Sequence, residues 1–348
     1  MAFKFNFIER EQNSEPAPAS SSSHYNVGPP FREIPLAQLI EKLPPVITYS
    51  TPNNATMKNN LARRNVWDIR FQLASESDVS PEWPQNGENG DSEDNLADID
   101  ASTDLIPGTY EGGLKTWECS EDLVDILDAN YQTYFGWGKR AIEVGCGSAM
   151  PSCFLFTKLL SCIKERPQEC PETAIHFTDF NEQVLSLVTL PNILLAYALF
   201  LASQNDDTQL TKPTFDDSTL HITETLIEQF TTLLQHYNIS LRFYSGSWSS
   251  QDIALKLPPT AYDLVTTSET IYNIENLPSL IKFLCHCTYS SSPANSGTCL
   301  VAFKIAYFGV GGSEYDFTCE LEKQGGRVAQ VVDAKSDGVG RKIVRVQW

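Results

Sequence analysis

Four short stretches carry residues that could do chemistry, and each follows an apolar run. The first is Glu143-Val144-Gly145-Cys146-Gly147. Glycines at a strand-to-helix turn let the backbone approach a ligand closely. The place of a third glycine, as in a pyrophosphate cradle, is held by Met150, which argues against a dinucleotide. An acid ahead of the glycines, Glu143, fits a site for the cationic amino-acid end of S-adenosylmethionine. The second stretch is Thr178-Asp179-Phe180, where a carboxylate at a strand end can accept both hydroxyls of a ribose. Asp179 can also cap the helix that follows, a role compatible with the first. The third is Gly246-Ser247-Trp248-Ser249, which offers an aromatic face for a purine, or else a core tryptophan. The fourth is Ser268-Glu269-Thr270-Ile271-Tyr272-Asn273. Here Glu269, Tyr272 and Asn273 can orient a nucleophile or accept its proton. A helix cap would account for Ser268 and Glu269 alone.

These stretches need a scaffold that brings strand ends together. Apolar runs at residues 141–144, 174–178, 240–244, 262–267 and 298–305 read as strands, and 341–347 as an edge strand at the terminus. Between them, residues 120–134, 181–203, 223–236 and 277–286 read as helices. Such alternation predicts an α/β fold: a doubly wound, mostly parallel, Rossmann-like sheet. Ligands of that fold sit beyond the carboxyl ends of the strands, at the switch point of strand order.

Upstream, residues 1–30 are rich in Ser, Pro, Ala and Asn and are expected to form a disordered tail. Residues 31–74 are expected to be a partly ordered extension. It includes the mixed basic and aromatic patch from Arg63 to Phe71, read as an element packed on the main domain. Residues 75–104 hold ten acidic residues and no Lys or Arg, the composition of a flexible acidic linker. Residues 105–348 form the expected catalytic domain.

The chain has 348 residues with 44 acidic against 25 basic side chains, a net charge of −19. That balance excludes a nucleic-acid backbone as the main partner and suits a basic one. The nine cysteines include no Cys-x-x-Cys pair, so reduced thiols are expected and no metal. No secretory signal is read at the start. The most apolar stretch, residues 184–202, is interrupted by Pro191 and Asn192 and is read as too broken to span a membrane.

The sequence also resembles a known family, the protein-histidine methyltransferases that modify a large-subunit ribosomal protein, and within it the fungal branch. The resemblance covers about residues 60–348. It is densest from Asp104 to Ser120, with Tyr110-Glu111-Gly112-Gly113-Leu114-Lys115 and Trp117-Glu118-Cys119 at its centre. It continues through Glu143 to Ser148, Val188-Thr189-Leu190-Pro191-Asn192, Ser245-Gly246-Ser247-Trp248, Thr267 to Asn273, and Tyr307 to Gly312. The resemblance implies a seven-stranded methyltransferase sheet, S-adenosylmethionine as donor, and a ribosomal protein as client, which the acidic charge suggests is basic. The reduced thiols expected of the chain place it in cytoplasm and nucleus. The resemblance places the donor against Thr116, Trp117, Glu118, Cys119 and Ser120, against Gly145, and against Thr178, Asp179 and Phe180. Gly246, Ser247, Trp248 and Ser268 complete the implied site, with Glu143 and Gly147 added from the glycine turn. Two other readings stay open: a lysine methyltransferase on the same fold, and a non-catalytic binder of a ribosomal protein.

Overall fold

The computed structural model describes residues 28–51, 61–76, 112–204, 211–257, 262–289, 297–309, 311–336 and 338–348. The first 27 residues of the predicted tail, the acidic linker beyond residue 76, and the domain's opening residues 105–111 lie outside them.

The extension opens with β1 (Arg32–Ile34), α1 (Leu36–Glu41), β2 (Val46–Ser50), β3 (Arg63–Arg64) and α2 (Val66–Glu76). Next come α3 (Glu118–Ala129), α4 (Tyr131–Tyr134), β4 (Arg140–Val144), α5 (Met150–Ser161), β5 (Thr173–Asp179), α6 (Glu182–Val184) and α7 (Leu190–Ser203). They are followed by β6 (Phe215–Asp216), β7 (Thr219–His221), α8 (Glu224–His236), β8 (Ile239–Ser245), α9 (Ile253–Lys256) and β9 (Leu264–Ser268). The chain closes with α10 (Leu277–Thr288), β10 (Thr298–Lys304), α11 (Glu314–Lys323), β11 (Arg327–Lys335) and β12 (Arg341–Gln347).

The main sheet runs β1-β8-β5-β4-β9-β10-β12-β11. Strands β8, β5, β4, β9 and β10 are parallel to one another. The order reverses between β4 and β9, so this is the doubly wound sheet expected from the sequence, with its switch point at the glycine turn and the Ser268-Glu269 turn. The central strands are almost wholly buried, as parallel strands covered on both faces are. The layer of α3, α5, α7 and α8 covers one face, and α10 and α11 cover the other.

Three expectations change. The catalytic domain supplies the seven strands expected, and β1 of the extension adds an eighth by pairing antiparallel with β8. Residues 341–347 are not the edge. Strand β12 lies between β10 and β11, and β11, which the sequence reading missed, is the outer strand.

The third correction concerns Pro191. The helix does not break there but runs unbroken from Glu182 to Ser203, through a π turn at Leu185–Thr189. By length and composition it could cross a membrane, with a mean hydropathy of 2.1, yet 83% of that window is buried inside the protein. It packs on α5 and α8 as a core helix. The Arg63-to-Phe71 patch does pack on the domain: β3 joins β2, β7 and β6 in a second, four-stranded sheet.

Candidate active site

The parallel strands deliver their last residues to one level. Val144 pairs with Thr178 and Thr267, Asp179 with Ser245, and Ala302 with Ser268. Beyond these ends lies a cavity of about 370 Å³. Its floor is the glycine turn. Gly145 has φ +64°, and a Cβ there would stand 2.5 Å from Thr270 Cγ2, so only glycine fits. Gly147 has φ +48° and packs on the backbone of Gly113.

Of the residues expected to hold the donor, Trp117, Ser120, Gly145, Gly147, Asp179, Phe180, Trp248 and Ser268 line this cavity. Asp179 Oδ2 accepts the Gly147 amide at 3.0 Å and Oδ1 the Asn181 amide at 3.1 Å. The carboxylate therefore fixes the glycine turn and begins the next helix while lining the cavity. Trp248 Nε1 and Ser120 Oγ are buried without a hydrogen-bond partner. Buried polar groups are normally satisfied, so these are places for a ligand to bond.

The remaining expected donor residues stand behind or beside the cavity. Thr116 Oγ1 donates to Ser148 Oγ at 2.8 Å. Glu118 pairs with Lys304 at 2.9 Å. Burial raises its pKa, but Lys304, a backbone hydrogen bond and Lys115 together outweigh burial and the net shift is downward. Cys119 is buried, and burial followed by the charge of Glu269 pushes its thiol pKa far up, so it is no nucleophile. Thr178 lies within the sheet. Gly246 and Ser247 are overlaid by the extension: Ser247 N donates to Pro29 O at 2.9 Å, and a Cβ on Gly246 would sit 2.3 Å from Pro30 O.

Glu143 is also outside the cavity lining. It is 1% exposed, and its Oε2 accepts both the amide of Ser152, at 3.0 Å, and the Ser152 hydroxyl. Burial pushes its pKa up to about 8 against the pull of those bonds. A carboxyl in that state is a poor counter-ion for an ammonium group at neutral pH.

The three expected catalytic residues separate. Glu269 and Tyr272 line the cavity. Asn273 does not; its Oδ1 accepts the Glu275 amide at 2.9 Å and caps the 3-10 turn Ile274–Asn276. Glu269 is buried and held at φ +58°, a left-handed conformation that a residue with a side chain rarely adopts. Its Oε1 accepts the Cys119 amide at the start of α3, at 3.4 Å, and lies 3.5 Å from Lys304 Nζ. It thus caps α3, not the segment that follows it.

The sequence reading missed several lining residues. Lys304 ends β10, and its Nζ lies 4.8 Å from the Trp117 ring centroid; Lys115 Nζ lies at the same distance. Tyr307 packs edge-on to Tyr272, with centroids 6.5 Å apart. Burial, then the negative charge of Glu269, raises its pKa. Phe308 lines the mouth and is 84% exposed. Lys304 is a strand-terminal residue, so the rule that found Asp179 and Ser268 could have found it. The cavity thus has a half built of backbone turns and a carboxylate, and a half built of Trp117, Tyr272, Tyr307, Phe308, Glu269 and Lys304. The first suits a nucleoside, and the second suits a flat nucleophile needing an acceptor.

No family model matches the chain. Among solved structures, magnesium protoporphyrin IX methyltransferase from Synechocystis PCC 6803 aligns over 65% of this chain and 80% of its own. The identity is 13% and the TM-score 0.35, too slight a likeness to build on. Curated relatives are much nearer. Histidine protein methyltransferase 1 of Schizosaccharomyces pombe is 31% identical over 354 residues, which cover 98% of this chain and 92% of the relative. Histidine protein methyltransferase 1 of Saccharomyces cerevisiae is 33% identical over 296 residues, 82% of this chain and 75% of the relative. Identity at that level, carried over nearly the whole of both chains, means that the chain belongs to the histidine protein methyltransferase family.

Proposed function

We propose that this enzyme moves a methyl group from S-adenosylmethionine to a ring nitrogen of a histidine in a basic ribosomal protein of the large subunit, in cytoplasm and nucleus. The observation that carries the reading is the placing of one acid, Glu269, in a buried left-handed turn beside Tyr272 and Tyr307, within the same cavity as the glycine turn and Asp179. The unpartnered Trp248 Nε1 and Ser120 Oγ, the close-approach backbone at Gly145 and the acceptor Asp179 suit the donor's nucleoside and amino-acid ends. When bound, the donor supplies an electrophilic methyl carbon on a sulfonium.

The protein's own residues need only hold the nucleophile. Free imidazole titrates near 6.5, so one ring nitrogen is already bare at neutral pH. Glu269 accepts the N–H of the other ring nitrogen and so fixes the tautomer. Tyr272, Tyr307 and Trp117 supply flat walls that hold the ring at near-attack distance. Lys304 braces Glu269 through the 3.5 Å contact. After transfer the ring is a cation whose remaining N–H faces the Glu269 carboxylate, which can take the proton on toward water. A lysine substrate, with pKa near 10.4, would have to lose a proton first. Among the described lining residues the only second carboxylate is Asp179, already committed to two amides.

The test is direct. The purified protein is incubated with methyl-labelled donor and large-subunit ribosomal proteins from cells lacking the enzyme. Acid hydrolysis and amino-acid analysis should give methylhistidine from one protein band. Methyllysine, or no label, would overturn the reading.

A further inference from the structure

The patch Arg63–Arg64 lies 76 residues before β4 in sequence, yet Arg64 is only 3% exposed. Its guanidinium is held from its own segment: Nε donates to Asp68 Oδ2 at 2.7 Å and Nη2 to Gln72 Oε1 at 2.8 Å. The third nitrogen, Nη1, donates to Leu187 O at 2.8 Å. Leu187 is the residue four before Pro191, and in the α register that resumes at Leu190 proline has no N–H to offer that carbonyl. Arg64 therefore serves a carbonyl that Pro191 cannot, within the π turn Leu185–Thr189.

The turn it serves grips the glycine turn of the donor site. Thr189 Oγ1 donates to Gly147 O at 2.8 Å, and Asn192 Nδ2 donates to Ser148 O at 2.9 Å. Asn192 is fully buried, and its Oδ1 accepts the backbone amide of Arg64 at 2.7 Å. Two carbonyls of the glycine turn are thus tied to one bulged helical turn. That turn is tied twice to Arg64, once through its guanidinium and once through its amide.

Turning those carbonyls inward fixes the amides of the same peptides with respect to the cavity. Because every link is buried and directional, the arrangement has few ways to relax.

We propose that Arg64 is a positioning residue for the donor site, acting through the proline gap and Asn192 so that the segment before the catalytic sheet sets the shape of the glycine turn. This rests on the reading that the cavity binds S-adenosylmethionine.

The full-length chain is titrated with S-adenosylmethionine by calorimetry as wild type, Arg64→Met, Arg64→Met with Pro191→Ala, and Asn192→Ala. Arg64→Met should weaken donor binding by about tenfold, a loss on the order of one network contact. Adding Pro191→Ala returns an N–H opposite Leu187 O and should recover a clear part of that loss. A merely structural role predicts no such rescue of affinity. Asn192→Ala keeps the Arg64–Leu187 bond, cuts the arm to Ser148, and should also weaken binding; it carries the test if Arg64→Met does not fold. Wild-type affinity in Arg64→Met or in Asn192→Ala overturns the proposal, as does affinity lost in Arg64→Met but unmoved by Pro191→Ala. A wild type that binds no donor instead overturns the donor reading and takes this proposal with it.

Discussion

Glu269 Oε1 and Lys304 Nζ lie 3.5 Å apart at the ends of two adjacent parallel strands, β9 and β10. The contact is nearly dry, with Lys304 side chain 17% and Glu269 side chain 6% exposed. Burial lowers the Lys304 pKa, but Glu118 and Glu269 more than restore it, so the ammonium stays charged. A non-glycine residue in the left-handed region costs on the order of 1–3 kcal/mol, and the helix cap and ion pair offset that cost.

Replacing Glu269 with Gln keeps its shape and removes its charge. Single-turnover methyl transfer should fall by roughly 10²–10⁴, the usual worth of a positioned acceptor. Donor affinity should stay within a few-fold of wild type. A variant with an unchanged rate would remove Glu269 from the chemistry.

Asp179 links two roles, because it holds the Gly147 and Asn181 amides while it lines the cavity. Asp179→Ala should weaken donor binding by roughly 10–100-fold, since bonds to a charged acceptor are worth about 1.5–3 kcal/mol each. Calorimetry on the folded variant reads this, and unchanged affinity would take Asp179 out of the site.

Two buried groups set opposite limits on stability with pH. Glu143 keeps its proton in the folded chain up to about 8 because burial disfavours its charge, whereas its ordinary value is 4.5. Its contribution is full below 4.5 and is lost as pH rises through 8. His176, with Nδ1 2.7 Å from the Tyr262 hydroxyl, is pulled down to about 3 from 6.5 by burial and then by Arg140 and Arg242. The unfolded chain takes that proton first, so stability is lost as pH falls from 6.5 toward 3. Between 4.5 and 6.5 the two slopes offset one another. Melting temperature from these two groups should therefore drop by a few degrees between pH 6.5 and 8, and Glu143→Gln should flatten that drop. An equal slope in the variant would show that Glu143 does not titrate there.

The extension reaches the site as well as the sheet. Pro29 O accepts the Ser247 amide at 2.9 Å, Phe31 N donates to Ser250 Oγ at 3.2 Å, and the Phe31 ring stacks on Tyr244 at 5.6 Å. Truncation before Gly28 should leave melting and donor affinity near wild type. Truncation through Ile34 removes β1 and the cover over Gly246, and should lower both. Equal behaviour of the two truncations, by calorimetry and thermal melts, would show that residues 28–34 contribute nothing.

The parts legible in the sequence were those fixed by local pattern. Strands β4, β5, β8, β9, β10 and β12 are apolar runs bounded by turn residues, and a doubly wound order places their ends together. That is why Gly145, Asp179, Trp248, Ser268, Glu269 and Tyr272 meet in one cavity. Strand β11 was not legible, because much of it is exposed or half-buried and its register shifts twice. Nor was the cover on Gly246 and Ser247, which comes from residues more than 200 positions away. Glu143 stands outside the lining because a residue within a strand points into a layer, not past the strand's end. Pro191 looked like a break because nothing local shows that Arg64 will serve the carbonyl it leaves.

The main sheet has two outer strands, and neither offers a long, flat rim. On one side β1 is three residues long. On the other, β11 is kinked by shifts between Val328 and Gln330 and between Val331 and Asp333. Short and bulged rims resist the stacking of one molecule's strands onto another's. The eighth strand covers Phe243, Tyr244 and Ser245 at the end of β8, and without it these three buried residues would join the open border of the sheet, where strand addition between molecules begins. Loss of the extension would then appear as precipitation as well as weaker ligand binding.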